Sequence, residues 1–505
     1  MEAGADWRTV KNYTLTVKRP LAIIKRNTYG TFNSVPRGWQ GQRIIILTKR
    51  VASRCGLLGC DNHEVCCRNS VINLFSLLGV CRYQMKIIGG IAMAKTDTEF
   101  SLQRVPQANR NGFWKILAVM LGFTFFSASM WSGGSLGTGL TFTQFIWIVL
   151  AGNFILGVYT GALAYISAKT GLSTHLLAKY SFGDKGSYLP SLLLGVTQVG
   201  WFGVGVAMFA FPVQKATGAD PYLLIAISGI LMTLTAIYGI KALAILGIVA
   251  VPSIAVLGSY SVLEAMETGG GIPGLLAYQP QEMMGLAAAL TICIGSFISG
   301  GTLTPDFTRF SKTPRSAVVA TVIAFFLGNS LMFLFGAVGA IVYGQSDISD
   351  VMFLQGLIVP AILVLGLNIW TTNENALYAS SLGFANITKI EKNKIVIFNG
   401  TLGTLASMWL YNNFVDFLTM LGTTLPSIGA IILADFFLLK RGKYPNYEDA
   451  KFQTVNWIAV VAWALGVAVA DFVPGIPPIN GLLGTALIYV VLVKCLPVAE
   501  NLQNS

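Results

Sequence analysis

A succession of apolar runs, each about twenty residues long, begins near Phe113 and continues almost to the C-terminus, and it constrains this chain more than any other feature. At about 1.5 Å per residue, one such run crosses a hydrocarbon layer of about 30 Å. A backbone in lipid has to satisfy its own hydrogen bonds, so these runs are α-helices. Spans are predicted at 113–137, 143–167, 188–214, 221–240, 243–263, 284–302, 315–344, 351–380, 393–411, 414–438, 454–473 and 479–496. Composition agrees. Of 505 residues, 54% are hydrophobic and only 11% charged, too little charge to coat a soluble domain of this size. The 54 glycines, many inside the runs, suit membrane helices whose backbones approach closely. The expected class is an all-α integral membrane protein with about twelve transmembrane helices, embedded in membrane lipid.

The formal charge of +12 is concentrated at one end. Residues 1–92 carry about 14 Lys and Arg against about 4 acids, while the rest is near neutral and offers no nucleic-acid surface. That leader also holds Cys55, Cys60, Cys66, Cys67 and Cys81 together with His63. Their spacing departs from the paired units that bracket a zinc ion, so a metal site is not expected. Met93 opens a short polar start that runs directly into the first span. The predicted organisation is therefore a basic leader over 1–92, either disordered or an upstream extension ahead of the true initiator, and a twelve-helix domain over 93–505.

Lys and Arg alternate between the loops. Lys169, Lys179 and Lys185 lie between spans two and three, and Lys241 between four and five. Arg309, Lys312 and Arg315 follow span six, Lys389, Lys392 and Lys394 follow span eight, and Lys440, Arg441 and Lys443 follow span ten. The intervening loops carry acids such as Glu264, Glu267, Asp347 and Asp350. Positive loops stay on the cytoplasmic side, which places both termini there.

Spans one and six are interrupted by Gly and Ser, in LGFTFFSASMWSGGSLGTG and IGSFISGGTLT. Such residues weaken a helix, and an unwound backbone at membrane depth has to line a cavity. Five helices separate the two breaks, so the two five-helix units run in opposite orientations. Matched breaks in inverted halves point to the binding site of a secondary transporter. Close helix packing is the plainer account of one such cluster taken alone.

Span three places Gln198 and Trp201 on one helix face, where an indole can stack on a planar heterocycle and an amide can read its edge. Phe297 on span six can close the stack, with Ser296 and Ser299 adding polar contacts. Span eight carries Asn368, Thr371, Thr372, Asn373, Glu374 and Asn375, the most polar mid-membrane cluster in the chain. Thr371 and Thr372, with carbonyls of a broken span one, offer hard oxygen ligands suited to Na⁺. Asn373, Glu374 and Asn375 are candidates for a coupling pathway, and Glu374 can alternatively bind or relay a proton. The body has one His (His175), two Cys (Cys293 and Cys495) and no poised nucleophile set, so an enzyme is not expected and no cofactor is called for beyond Na⁺ as coupling ion.

The stretches TFFSASMWSGGSLGTGL, AKTGLSTHLLAKYSFG, GVTQVGWFGVGVAMFA, GSFISGGTLTPDFTRF and NIWTTNENALYASSLGFANIT closely resemble the bacterial cytosine permeases of nucleobase–cation symporter family one. The resemblance runs from about Met93 to the end. It implies a leucine-transporter-like 5+5 inverted repeat plus two helices, with spans one and six broken, in a bacterial inner membrane. It also implies sodium-coupled cytosine uptake by alternating access, the base held between Trp201 and Phe297 and bonded by Gln198, Ser296 and Ser299. The cation site it implies falls on carbonyls near Gly122 and Phe125, the carbonyl of Asn368 and the hydroxyls of Thr371 and Thr372. Glu374 stands where the family commonly has a shorter aspartate. A same-fold symporter for a purine, hydantoin or allantoin, driven by protons, is the alternative.

Overall fold

The computed structural model describes residues 100–237 and 240–496, and within the leader only a two-residue pairing of Thr14–Leu15 with Ile24–Lys25. The leader's cysteines, His63 and Met93 lie outside the described residues. The chain divides into two units, Met1–Thr96 and Asp97–Ser505.

Helices occupy the positions of all twelve predicted spans. Span one is Phe113–Thr124 followed by Ser127–Gly139, bent by 51° between them. Span two is Phe142–Thr170, begun by a capping box in which Thr141 and Gln144 satisfy each other's backbone N–H. Span three is Tyr188–Thr217, span four Pro221–Ala236 and span five Ile240–Thr268. Span six is Leu286–Thr302 with a short continuation, Thr304–Thr308. Span seven runs from Pro314 to Tyr343 and carries a π turn at Ala324–Asn329. Spans eight and nine are Ile358–Thr388 and Lys392–Asn412. Span ten begins as Phe414–Thr424 and resumes at Pro426, and the last two spans are Trp457–Phe472 and Pro477–Cys495. Length and apolarity alone qualify six described helices to cross a bilayer, and the bent first span makes a seventh. Span eight is long enough at 31 residues, but its polar cluster dilutes its hydropathy.

The inverted repeat shows in the connections. A short helix, Thr174–Phe182, follows span two, and another, Ile348–Leu354, follows span seven, its counterpart five helices later. The second of these shifts a predicted boundary. Span eight was expected from 351, but Gly356, with φ at +75°, ends the short helix and span eight starts at Ile358.

Both breaks fall within the stretches predicted to be interrupted, at apolar residues of those stretches and not at a Gly or Ser. In span one the chain leaves the helix at Phe125 (φ −77°, ψ 84°) and Phe126 (φ −126°, ψ 127°), ahead of the cluster. In span six it does so at Leu303, just after Gly300 and Gly301. The glycines serve packing instead. A Cβ on Gly133 would collide with the Phe333 carbonyl of span seven, and one on Gly336 with the Met130 carbonyl of span one. These two helices touch backbone to backbone because neither carries a side chain there. Gly133–Gly137 also has the G-x-S-x-G spacing of a nucleophile elbow, but it is continuous helix and not the strand-to-helix turn that chemistry needs.

Candidate functional site

The break in span one is held open by a single side chain from span eight. Asn368 donates its Nδ2–H to the Phe125 carbonyl at 2.5 Å. Its Oδ1 accepts from the Ser127 N–H at 2.9 Å and the Ser127 hydroxyl at 2.7 Å. One amide thus replaces helical hydrogen bonds on both sides of the bend, where stranded backbone groups would each cost about 1–3 kcal/mol. The bend also takes away the i+4 N–H that a continuous helix would supply to the carbonyls of Gly122, Phe123 and Thr124.

Below the amide, the Asn368 carbonyl accepts from the Thr371 hydroxyl at 2.7 Å and the Thr372 hydroxyl at 3.1 Å. Each of these hydroxyl oxygens keeps lone pairs free. The Asn368 carbonyl and the hydroxyls of Thr371 and Thr372 therefore cluster as neutral, hard oxygens, and the Asn368 side chain ties the Phe125 carbonyl to the same residue, with Gly122 less than one turn before the bend. Such a set fits an alkali cation and offers nothing soft to a transition metal. Among the described residues no group of His, Cys, Asp and Glu could hold a metal ion.

Beside this patch lies a small cavity. Gln198 and Trp201 of span three line it, with Ser296 and Phe297 of span six and Thr372 and Asn373 of span eight. Edge contacts brace the Trp201 ring, from Phe126 at 5.4 Å, Phe417 at 5.4 Å and Phe414 at 6.1 Å between centroids. Phe297 is fixed edge-on by Phe123 and Phe325, both at 5.1 Å. Two aromatic rings held in this way, with an amide on the wall, can sandwich a flat ring and read its rim.

The other predicted residues are placed differently. Ser299 stands behind the lining and accepts the Trp201 indole N–H at 2.8 Å and the Gln198 Nε2–H at 3.3 Å. The Ser296 hydroxyl donates back to the Cys293 carbonyl at 2.8 Å. Thr371, Glu374 and Asn375 are outside the lining. Glu374 is buried beside the Trp370–Thr235 pair, and neither carboxyl oxygen makes a well-formed hydrogen bond among the described residues.

Phe123, Phe126, Gly300 and Ala376 also line the cavity and were not anticipated. Phe123 and Phe126 flank the bend, so its position would have pointed to them. Gly300 carries a subtler signal. A Cβ there would meet the Phe123 ring at 2.8 Å and the Phe297 ring at 3.2 Å, so only glycine admits that edge-on pair.

A second buried polar cluster lies just after span six. Asp306 accepts the Thr174 N–H at 2.8 Å, and His175 Nε2 lies 3.6 Å from its other oxygen. The fully buried Arg309 donates to the Asp306 carbonyl, the Phe100 carbonyl and the Tyr378 hydroxyl. Burial pushes the His175 imidazole below its ordinary range, Asp306 pulls it back up, and Arg309 adds to the lowering. These residues sit on the side that carries the Lys and Arg loops.

Fold and site together define a multi-pass, all-α membrane protein built as a leucine-transporter-like inverted repeat with a bent first span. Solved structures share that architecture. Mhp1 in its inward-facing conformation superposes with a TM-score of 0.69 at 20% identity, covering 79% of this chain and 95% of the other. Mhp1 described as a nucleobase-cation-symport-1 family transporter, closed with bromovinylhydantoin bound, gives 0.69 at 21%, covering 79% and 97%. The chain belongs to the family of permeases for cytosine/purines, uracil, thiamine and allantoin, which matches residues 104–492. The cytosine permease of Escherichia coli is 57% identical over 396 residues, 78% of this chain and 94% of the relative. The hydantoin permease of Microbacterium maritypicum is 21% identical over 437 residues, 79% and 87% of the two chains.

Proposed function

We propose that this chain carries cytosine into a bacterial cell together with Na⁺, by alternating access of one site to the two sides of the inner membrane. The observation that carries the reading is the cavity, in which Trp201, Phe297 and Gln198 meet Phe123 and Phe126 of the bent first span and Thr372 of span eight. Trp201 and Phe297 are the two stacking faces, and Gln198, Ser296 and their neighbours bond the edge of the ring. The Na⁺ co-substrate is assigned to carbonyls near Gly122 and Phe125, the Asn368 carbonyl and the hydroxyls of Thr371 and Thr372. A positive charge there favours the closed arrangement of spans one and eight, which ties ion binding to base binding. Both termini are assigned to the cytoplasm from the distribution of Lys and Arg. The 57% identity to a cytosine permease supports the choice of base.

The buried Glu374 favours a second reading, in which a proton replaces Na⁺ as the driver. Uptake of radiolabelled cytosine into proteoliposomes, with a sodium gradient or a proton gradient imposed separately, decides between them. Accumulation above equilibrium that follows the sodium gradient is expected. Competition by unlabelled uracil, adenine and hydantoin tests the ring. Uptake that stays with the proton gradient, or a site that prefers hydantoin, would overturn the first reading.

A further inference from the structure

His175, on the short helix after span two, and Asp306, on the continuation of span six, are both fully buried. One Asp306 oxygen accepts the Thr174 N–H at 2.8 Å, and the other stands 3.6 Å from His175 Nε2. Among the described residues, neither that second oxygen nor either ring nitrogen makes a well-formed hydrogen bond. Buried polar atoms are ordinarily paired, so three open ones in a single pair of side chains call for an explanation. A proton supplies one. A neutral imidazole has one N–H and one bare nitrogen, and a second proton makes donors of both, one for Asp306 and one for the Ala379 carbonyl of span eight. The setting opposes that proton. Burial holds the imidazole below its ordinary range against the pull of Asp306, and the Arg309 guanidinium adds to the lowering.

The groups around the ring leave His175 as the member of the cluster that ordinarily titrates between about pH 5 and 8. Tyr378 of span eight bonds Arg309 and carries Lys392 over its ring at 4.7 Å. On the helix of His175, Lys179 pairs with Asp184 and Tyr180 stacks on Tyr444. Span three brings Tyr188, which lies beneath Lys389. Pro426–Leu433 of span ten has no titratable side chain, and Trp457–Phe472 of span eleven has Asp471 near its far end. The cluster is also linked to the cavity. Phe307, next to Asp306, packs on Phe123 of the cavity wall with centroids 4.7 Å apart and meets Tyr378 at 6.1 Å.

We propose that His175 and Asp306 form a proton site that controls opening of the cavity toward the side of the Lys and Arg loops. The dry arrangement of the structure excludes the second proton, and an arrangement in which Phe307 has moved and water reaches the pair takes it up. Acid on that side then favours the open form by linkage. An imidazole wetted in the open form titrates at about 6.5, so opening gains about tenfold between about pH 7.5 and about pH 5.5. The inference rests on the alternating-access reading of the cavity, whichever ion drives it.

The test is hydrogen–deuterium exchange of the purified full-length protein in lipid nanodiscs at those two pH values, corrected for the intrinsic effect of pH on exchange. Protection over 172–186 and 300–312 is expected to fall about tenfold in acid, while spans eleven and twelve keep theirs. His175→Gln puts a neutral amide there and should hold protection level between the two conditions. Should that variant not fold, His175→Asn is a smaller neutral amide with the same expectation. A response shared by wild type and variant, absent from both, or opposite in sign would overturn the proton site. Uptake of radiolabelled cytosine by proteoliposomes, measured in parallel, keeps the two failures apart. The expected exchange response without any uptake would support the proton site and overturn the alternating-access reading.

Discussion

Replacing Asn368 by alanine perturbs the bend in span one without touching the cavity wall directly. The change deletes three hydrogen bonds, to the Phe125 carbonyl, the Ser127 N–H and the Ser127 hydroxyl. The hydroxyl can turn toward another acceptor, but the two backbone groups are fixed and buried. Each stranded group costs about 1–3 kcal/mol, so the bent conformation loses about 2–6 kcal/mol. Even the lower end corresponds to about a thirtyfold loss in affinity for a solute that requires the bend. Equilibrium cytosine binding, sodium titration and thermal unfolding of the purified protein are the measurements. Weaker binding by at least about thirtyfold is expected, together with a sodium curve shifted to higher concentration. Asn368→Asp is the informative companion. It keeps an acceptor for Ser127 but sets a carboxylate oxygen against the Phe125 carbonyl, so raising sodium should recover more of its binding than in the alanine variant. Wild-type affinity, sodium dependence and unfolding midpoint in Asn368→Ala would refute the claim that this amide holds the bend.

Thr372→Ala removes one oxygen from the candidate cation patch and should shift half-maximal sodium upward by about tenfold, with an unchanged curve counting against its role as ligand. Gly336→Val drives a side chain into the Met130 carbonyl and should abolish the monodisperse folded protein, whereas Gly157→Ala, which meets nothing within 4 Å, should elute normally on size exclusion. Burial lowers the His175 pKa in the folded protein, so as pH falls through about 6.5 the unfolded chain takes up a proton more readily than the folded one. Stability should therefore fall as pH drops through that value, by up to about 1.4 kcal/mol per pH unit, and His175→Gln should flatten the slope of thermal midpoint against pH. Deleting residues 2–92 is expected to leave cytosine uptake intact, and loss of transport despite normal membrane insertion would show that the leader takes part.

Much of this molecule is local in its sequence and was readable there. Twelve apolar runs become twelve helices because a backbone in lipid has no other way to satisfy its polar groups. The polar stretch from Asn368 to Asn375 and the Gln198–Trp201 pair stand out because polar and amphipathic residues at membrane depth need a reason. What the sequence could not place was anything decided by a partner far along the chain. The Gly/Ser clusters suggest where helices weaken, yet span one bends before its cluster because Asn368, 243 residues beyond Phe125, supplies the missing hydrogen bonds. The glycines themselves are taken up by backbone contact with span seven. Ser299 is expected from the sequence to face the solute, and in the folded bundle its oxygen takes the Trp201 and Gln198 N–H groups, a link between two helices that no local pattern shows. Helix formation follows from solvent and composition, which each segment carries by itself. The bend, the cavity and the direction a hydroxyl faces follow from which helices pack together, and only the folded bundle settles that.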